Sequence, residues 1–211
     1  MYKLVIFDLD GTLLNTIEDI CDSLNIALKL NNLKEVSIEE CKYMVGRGVN
    51  YLIEQAIGNN TELFDLVYES YMKNYEILQK NKTRPYDGIK EILDLLKSKN
   101  IKMAVLSNKP HVDTLRVVNY YFGDNVFDII MGKKPENRPK PYVDGAIELI
   151  NTLGIHTDIL YVGDTAVDMQ TANDSGFTSV AVTWGFRKKS ELSMANYIIE
   201  TPSEILKFFG V

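Results

Sequence analysis

Four short apolar runs constrain this chain more than any other feature: Leu4-Val5-Ile6-Phe7, Met103-Ala104-Val105-Leu106, Ile159-Leu160-Tyr161-Val162 and Ser179-Val180-Ala181-Val182. Each is too short for a helix, and each is bounded by Asp, Ser, Asn or Gly. Unbroken apolar runs of this length are characteristic of strands covered on both faces, which belong to parallel sheets. Helical patterns lie between them. Residues 87–99 place Ile89, Ile92, Leu93, Leu95 and Leu96 on one stripe, and residues 141–153 do the same with Val143, Ala146, Ile147, Leu149 and Ile150. Strand and helix alternate, so the predicted class is α/β, a doubly wound parallel sheet with right-handed crossovers placing helices on both faces.

The interval from about Asn15 to Thr83 breaks this alternation, because it follows the first strand yet holds no strand-like run. Thr16 opens a helical segment through Leu30, and Ser37 with Glu40 forms a capping box for another. Gly46 and Gly48 interrupt it, and residues 51–57 and 61–79 complete an all-helical set. Arg84-Pro85-Tyr86-Asp87-Gly88 is a turn-rich return. The expected organisation is a core of residues 1–14 and 84–211 with a helical domain, 15–83, inserted after the first strand.

With 211 residues, 45% hydrophobic and 25% charged, the chain buries a core without metal staples or a membrane. Its 23 Lys and Arg against 29 Asp and Glu leave a net charge of −6, which disfavours nucleic acid and anionic membrane as partners while allowing a small anion at a local cluster of cations. Cys21 and Cys41 lack a CxxC spacing and are expected to be reduced. No apolar stretch approaches the roughly 18 residues of a membrane span, and the start lacks a signal-peptide pattern, so a cytoplasmic protein is expected.

In an open parallel sheet the carboxyl ends of the strands share one edge, and ligands bind in the crevice there. The first run ends in Asp8-Leu9-Asp10-Gly11-Thr12, the second in Ser107-Asn108-Lys109, and the third in Gly163-Asp164 with Asp168 four residues on. Taken singly, an aspartate at a strand end is more often a helix cap or turn former. Together they repel one another unless a cation neutralises them, and hard oxygen ligands in an open site suit Mg²⁺. The Asp-x-Asp-Gly stretch lacks the glycine position and closing glutamate of a calcium loop. Arg138-Pro139-Lys140-Pro141 holds Lys140 between two prolines, with Pro141 suited to the first position of the next helix. Ser107 and Asn108 precede a helix, where they serve as caps or as an anion site. Carboxylates with Mg²⁺, a lysine and hydroxyl donors describe the surroundings of a phosphoryl group.

These motifs, in order Asp8-x-Asp10-Gly11-Thr12, Ser107-Asn108, Lys140-Pro141 and Gly163-Asp164-x-x-x-Asp168, resemble those of the haloacid dehalogenase superfamily of phosphohydrolases, and the helical insert resembles its first-class cap. Residues 182–187 and Ser107-Asn108-Lys109-Pro110 resemble the phosphoglycolate phosphatase group and its pyrophosphatase-like neighbours. The resemblance implies Asp8 as nucleophile and Asp10 as acid and base. It implies Mg²⁺ held by Asp8, Asp164 and the Asp10 carbonyl, with Asp168 orienting a bound water or Lys140. Thr12, Ser107, Asn108 and Lys140 would hold the phosphoryl oxygens. The substrate would be a small phosphorylated metabolite, taken by a monomer or homodimer.

Asp10 argues against a dehalogenase, and the cap lacks the early histidine usual in a phosphomutase, since His111 and His156 both lie in the core. The helical insert fits a phosphate-storing receiver domain badly, and intact motifs weigh against a silent binding protein. Gly46-Arg47-Gly48 is the candidate specificity loop, its guanidinium suited to a carboxylate or second phosphate, against the plainer reading of an interhelical turn. Tyr68, Tyr71 and Tyr75 recur at helical spacing and are expected to pack the cap core.

Overall fold

The computed structural model describes residues 2–210. Its centre is a sheet of six parallel strands in the order β5-β4-β1-β6-β7-β8, formed by β1 (Leu4–Phe7), β4 (Lys102–Pro110), β5 (Ile129–Lys133), β6 (Ile159–Gly163), β7 (Thr178–Val182) and β8 (Tyr197–Ile199). The four runs read from the sequence are the inner strands. Alternate side chains of those strands enter opposite faces. Val5, Phe7, Met103, Val105, Leu160 and Val162 pack with helices α5 (Ile89–Ser98) and α6 (His111–Phe122) and the C-terminal 3-10 helix Pro202–Phe209. Leu4, Ile6, Ala104, Leu106, Ile159 and Tyr161 pack on the other side with α7 (Asp144–Leu153) and Ala172 of α8 (Ala166–Asp174).

Between β1 and α5 the chain forms α1 (Ile17–Leu30), α2 (Ile38–Met44), α3 (Val49–Ile57) and α4 (Phe64–Leu78), which share an apolar core of their own containing Leu24, Leu28, Ile53, Val67 and Tyr71. The capping box starts α2 with both bonds formed, Ser37 N donating to Glu40 Oε2 at 2.7 Å and Glu40 N to Ser37 Oγ at 3.2 Å. The two chain segments that join this helical cap to the core pair as short antiparallel strands, β2 (Leu14–Asn15) with β3 (Arg84–Pro85). Buried Asp19 of α1 reinforces the joint by accepting from Lys82 N and Thr83 N at 2.8–3.0 Å.

Three expectations need correction. The sheet has two more strands than the apolar runs indicate, and a separate two-stranded pairing lies at the cap joint. Pro141 is not the first residue of a helix: the Lys140-Pro141 peptide is cis, Tyr142 N bonds back to Pro139 O at 3.0 Å, and α7 starts only at Asp144. Ser107 and Asn108 do not cap α6, because β4 continues through them and Pro110 takes the cap position without a side-chain bond.

Candidate active site

Strand β1 runs between β4 and β6, where the strand order diverges, and Asp8 follows it directly. Leu9 turns into the core, fully buried, so Asp8 and Asp10 are left beside the sheet edge. Gly11 then turns the chain at φ +93°, and a Cβ there would stand 2.3 Å from Asp164 Oδ2, so only glycine lets the first loop pack against the carboxylate after β6.

Lys140 lies at the centre. Its Nζ donates to Asp8 Oδ1 at 2.7 Å, Asp168 Oδ1 at 2.6 Å, Leu106 O at 2.9 Å and contacts Tyr161 OH at 3.1 Å, all buried. Asp168 uses its other oxygen as the third residue of a capping box, accepting from Thr165 N at 3.1 Å and Thr165 Oγ1 at 2.6 Å. One oxygen of this aspartate thus serves the start of α8 while the other meets Lys140. Asp164 Oδ2 accepts from Phe186 N at 2.8 Å.

Asp8, Asp164 and Asp168 each offer a carboxylate oxygen within 4.8 Å of the others, and all three are buried. Burial first, then Asp168 and Asp164, push the Asp8 carboxyl well above the ordinary carboxylate range in spite of Lys140. Burial and then Asp168 raise Asp164 to about 7. Burial disfavours the Lys140 ammonium, but Asp168 and Asp8 more than offset this and hold its pKa well above the usual lysine value. Three carboxylates against one ammonium leave two formal negative charges without solvent, the deficit a divalent cation with oxygen ligands would fill.

A cavity of about 40 Å³ adjoins Asp8 and Asp10, walled by Ser107, Lys109 and the cap residues Gly46, Gly48, Tyr71 and Tyr75. The sequence-predicted residues divide around it. Ser107 lines it, its Oγ accepting from Lys109 N at 3.2 Å. Asn108 also lines it, but its amide is committed to backbone: Oδ1 accepts from Lys140 N at 2.7 Å, and Nδ2 donates to Lys140 O at 2.9 Å and Gly46 O at 3.0 Å. It is a strut between lysine loop and cap in this structure, rather than a group presented to an anion. Thr12 lies away from the cavity with its hydroxyl 3.5 Å from Asp164 Oδ1. Gly46 and Gly48 take φ +110° and +92°, whereas Arg47 between them is exposed, stacks over Tyr51 and lines an adjoining outer cleft.

Residues 5–182 match the family described as haloacid dehalogenase-like hydrolase. The chain belongs to that family, and it is an enzyme of the hydrolase class. Within it the chain is phosphoglycolate phosphatase-like in sequence and fold. It is 32% identical to a phosphoglycolate phosphatase of Agrobacterium fabrum over 87% of this chain and 81% of that protein, and 28% identical to one of Aquifex aeolicus over 97% and 95%. A solved structure described as a predicted phosphoglycolate phosphatase from Haemophilus somnus superimposes with a TM-score of 0.92 at 27% identity, covering 99% of this chain and 98% of that one. Among the described residues no helix is long and apolar enough to cross a membrane.

For a hydrolase of this family, the sequence reading passed over two site residues. Lys109 forms a buried ion pair with Asp10 and donates to the Tyr75 hydroxyl of the cap, and Tyr75 packs the cap core as well. Arg187, from the loop after β7, reaches the carbonyls of Lys42, Tyr43 and Val45 at the end of α2, and Phe186 beside it enters the cap core. The one signal for Lys109 was its place two residues beyond Ser107 at a strand end.

Proposed function

We propose that this hydrolase removes phosphate from a small, anionic phosphate monoester, with phosphoglycolate as its substrate, in an Mg²⁺-dependent reaction through an aspartyl phosphate on Asp8. The observation that carries the reading is the Asp8 carboxylate fixed by Lys140 beside a buried set of carboxylates and opening on a small cavity. The named relatives are phosphoglycolate phosphatases, which supports that choice among small esters.

The residues that would hold the metal are Asp8, Asp164 and the Asp10 carbonyl, with Asp168 acting through Lys140. Mg²⁺ when bound supplies the charge that lets a carboxylate approach a phosphoryl group. The Asp8 oxygen attacks phosphorus while the bond to the ester oxygen breaks, and Asp10 gives that leaving oxygen its proton. Asp10, now a carboxylate, takes a proton from a water that attacks the same phosphorus, releasing inorganic phosphate and restoring Asp8. Lys140 favours the ionised form of Asp8 and orients it, and Ser107 Oγ donates to a phosphoryl oxygen.

The test is phosphate release from phosphoglycolate, ethyl phosphate, small sugar phosphates, nucleoside monophosphates and pyrophosphate, each with and without Mg²⁺, with Asp8→Asn as the blank. Preference for phosphoglycolate that disappears without Mg²⁺ and in Asp8→Asn is expected. Full activity of Asp8→Asn would overturn the nucleophile, and preference for pyrophosphate would overturn the substrate.

A further inference from the structure

Asp10 is held on one side only. Its Oδ2 pairs with Lys109 Nζ at 2.9 Å, with the two side chains 11% and 4% exposed, while its Oδ1 is buried and has no partner among the described residues. Both residues line the cavity. Lys109 is itself held by the cap: its Nζ lies 2.8 Å from Tyr75 OH and 4.6 Å from the centre of that ring, and Tyr75 is stacked on Tyr71 with centroids 5.6 Å apart. Tyr75 stands on α4, so this contact crosses from core to cap.

We propose that Lys109 is the positioning residue for Asp10, and that Tyr75 makes this positioning conditional on the cap being docked. The proposal rests on the reading of Asp10 as the proton donor to the leaving oxygen. An aspartate on a short loop can turn about two bonds, and an ion pair on one oxygen fixes the carboxyl so that the other is available at the cavity. Small misplacement of a reacting group carries a large loss, of order a hundredfold for about 1 Å. The cap supplies half of the lysine's polar contacts named here, so withdrawing α4 leaves Lys109 and Asp10 free to move together.

The leaving group separates positioning from other roles. Acetyl phosphate and ethyl phosphate are of similar size, but acetate departs without needing a proton and ethoxide does not. Because kcat/KM covers only the steps up to transfer onto Asp8, the later need for a base does not enter. In Lys109→Met, kcat/KM for ethyl phosphate is expected to fall by about a hundredfold. For acetyl phosphate the fall should be no more than about a tenth of that factor, and Tyr75→Phe, which keeps the ion pair, should show the same split at smaller size. Equal losses on both substrates would overturn the proposal, because that is what general damage to the fold or to the field of the site produces. A loss confined to phosphoglycolate would also overturn it and make Lys109 the reader of the substrate carboxylate. Failure of the phosphoglycolate reading is distinct: the unaltered enzyme would then prefer another ester, and the ethyl and acetyl comparison would stand. A crystal structure of Lys109→Met supplies a readout independent of turnover, with Asp10 expected to leave its present orientation and overturning the proposal if it does not.

Discussion

Lys140 joins Asp8 and Asp168 through one ammonium, with all three side chains buried. Lys140→Met keeps most of the stem and removes the charge, leaving carboxylates in low dielectric with nothing opposite them. Removing one partner of a buried pair costs about 3–5 kcal/mol, and the metal-free protein is expected to lose about this much at neutral pH. The deficit should shrink in acid, where protonation of Asp8 removes the uncompensated charge; urea denaturation at the two pH values checks this, and an equal loss at both would assign the lysine a packing role only. Gly11 tests the neighbouring carboxylate. With φ at +93° and a Cβ placed 2.3 Å from Asp164 Oδ2, Gly11→Ala must displace Asp164, so Mg²⁺ affinity by calorimetry is expected to fall at least tenfold. Asp8, Gly11 and Asp164 were legible because they follow strand ends, and Lys140 because two prolines flank it. Lys109 and Arg187 were not, since their partners lie 99 and about 145 residues away in the chain and no local pattern encodes them.

Secondary-structure elements show the same division between what burial writes into a sequence and what it does not. The four inner strands β4, β1, β6 and β7 are covered on both faces and so read as unbroken apolar runs. The strands that escaped, β5 and β8, are the two edges: β5 carries Gly132 and Lys133 and is only half-buried over Ile129 and Ile130, and β8 has three residues. The pairing of β2 with β3 has two residues a side and no periodicity to detect. Helix ends show a related limit, because the cap of α2 is a local motif and was readable, whereas its C-terminal carbonyls are satisfied by Arg187 from the core. That contact predicts an effect on the cap as an element. A charged hydrogen bond contributes about 1.5–3 kcal/mol, so Arg187→Ala is expected to speed hydrogen exchange in α2 by tenfold or more while leaving β1 and β4 protected. Faster exchange throughout the sheet would mean instead that Arg187 supports the core.

Over the whole molecule, a chain of net charge −6 gathers three of its carboxylates at one edge of the sheet and covers them with a cap. Folding without metal must hold that charge away from water, and the raised pKa of Asp8 and of Asp164 expresses this. A carboxyl raised in the folded state supports folding below its ordinary value of 3.8 and loses that contribution as pH climbs through its folded value, here about 7 for Asp164. Through Asp164 the metal-free protein is therefore expected to lose stability between about pH 4 and pH 7, and the raised Asp8 carboxyl adds to the loss as pH climbs. Mg²⁺ takes deprotonated ligands, so its stabilisation follows the opposite course, small near pH 4 and largest above pH 7. Melting temperatures measured across this range with a chelator and with Mg²⁺ should give two curves that coincide in acid and separate through neutrality. Curves that run parallel, or a Mg²⁺ effect greatest in acid, would break the link between the buried carboxylates and the metal. Asp164→Asn removes one of the raised carboxyls and should flatten the chelator curve and bring the Mg²⁺ curve down onto it, because one substitution then deletes both the buried charge and a ligand that answers it.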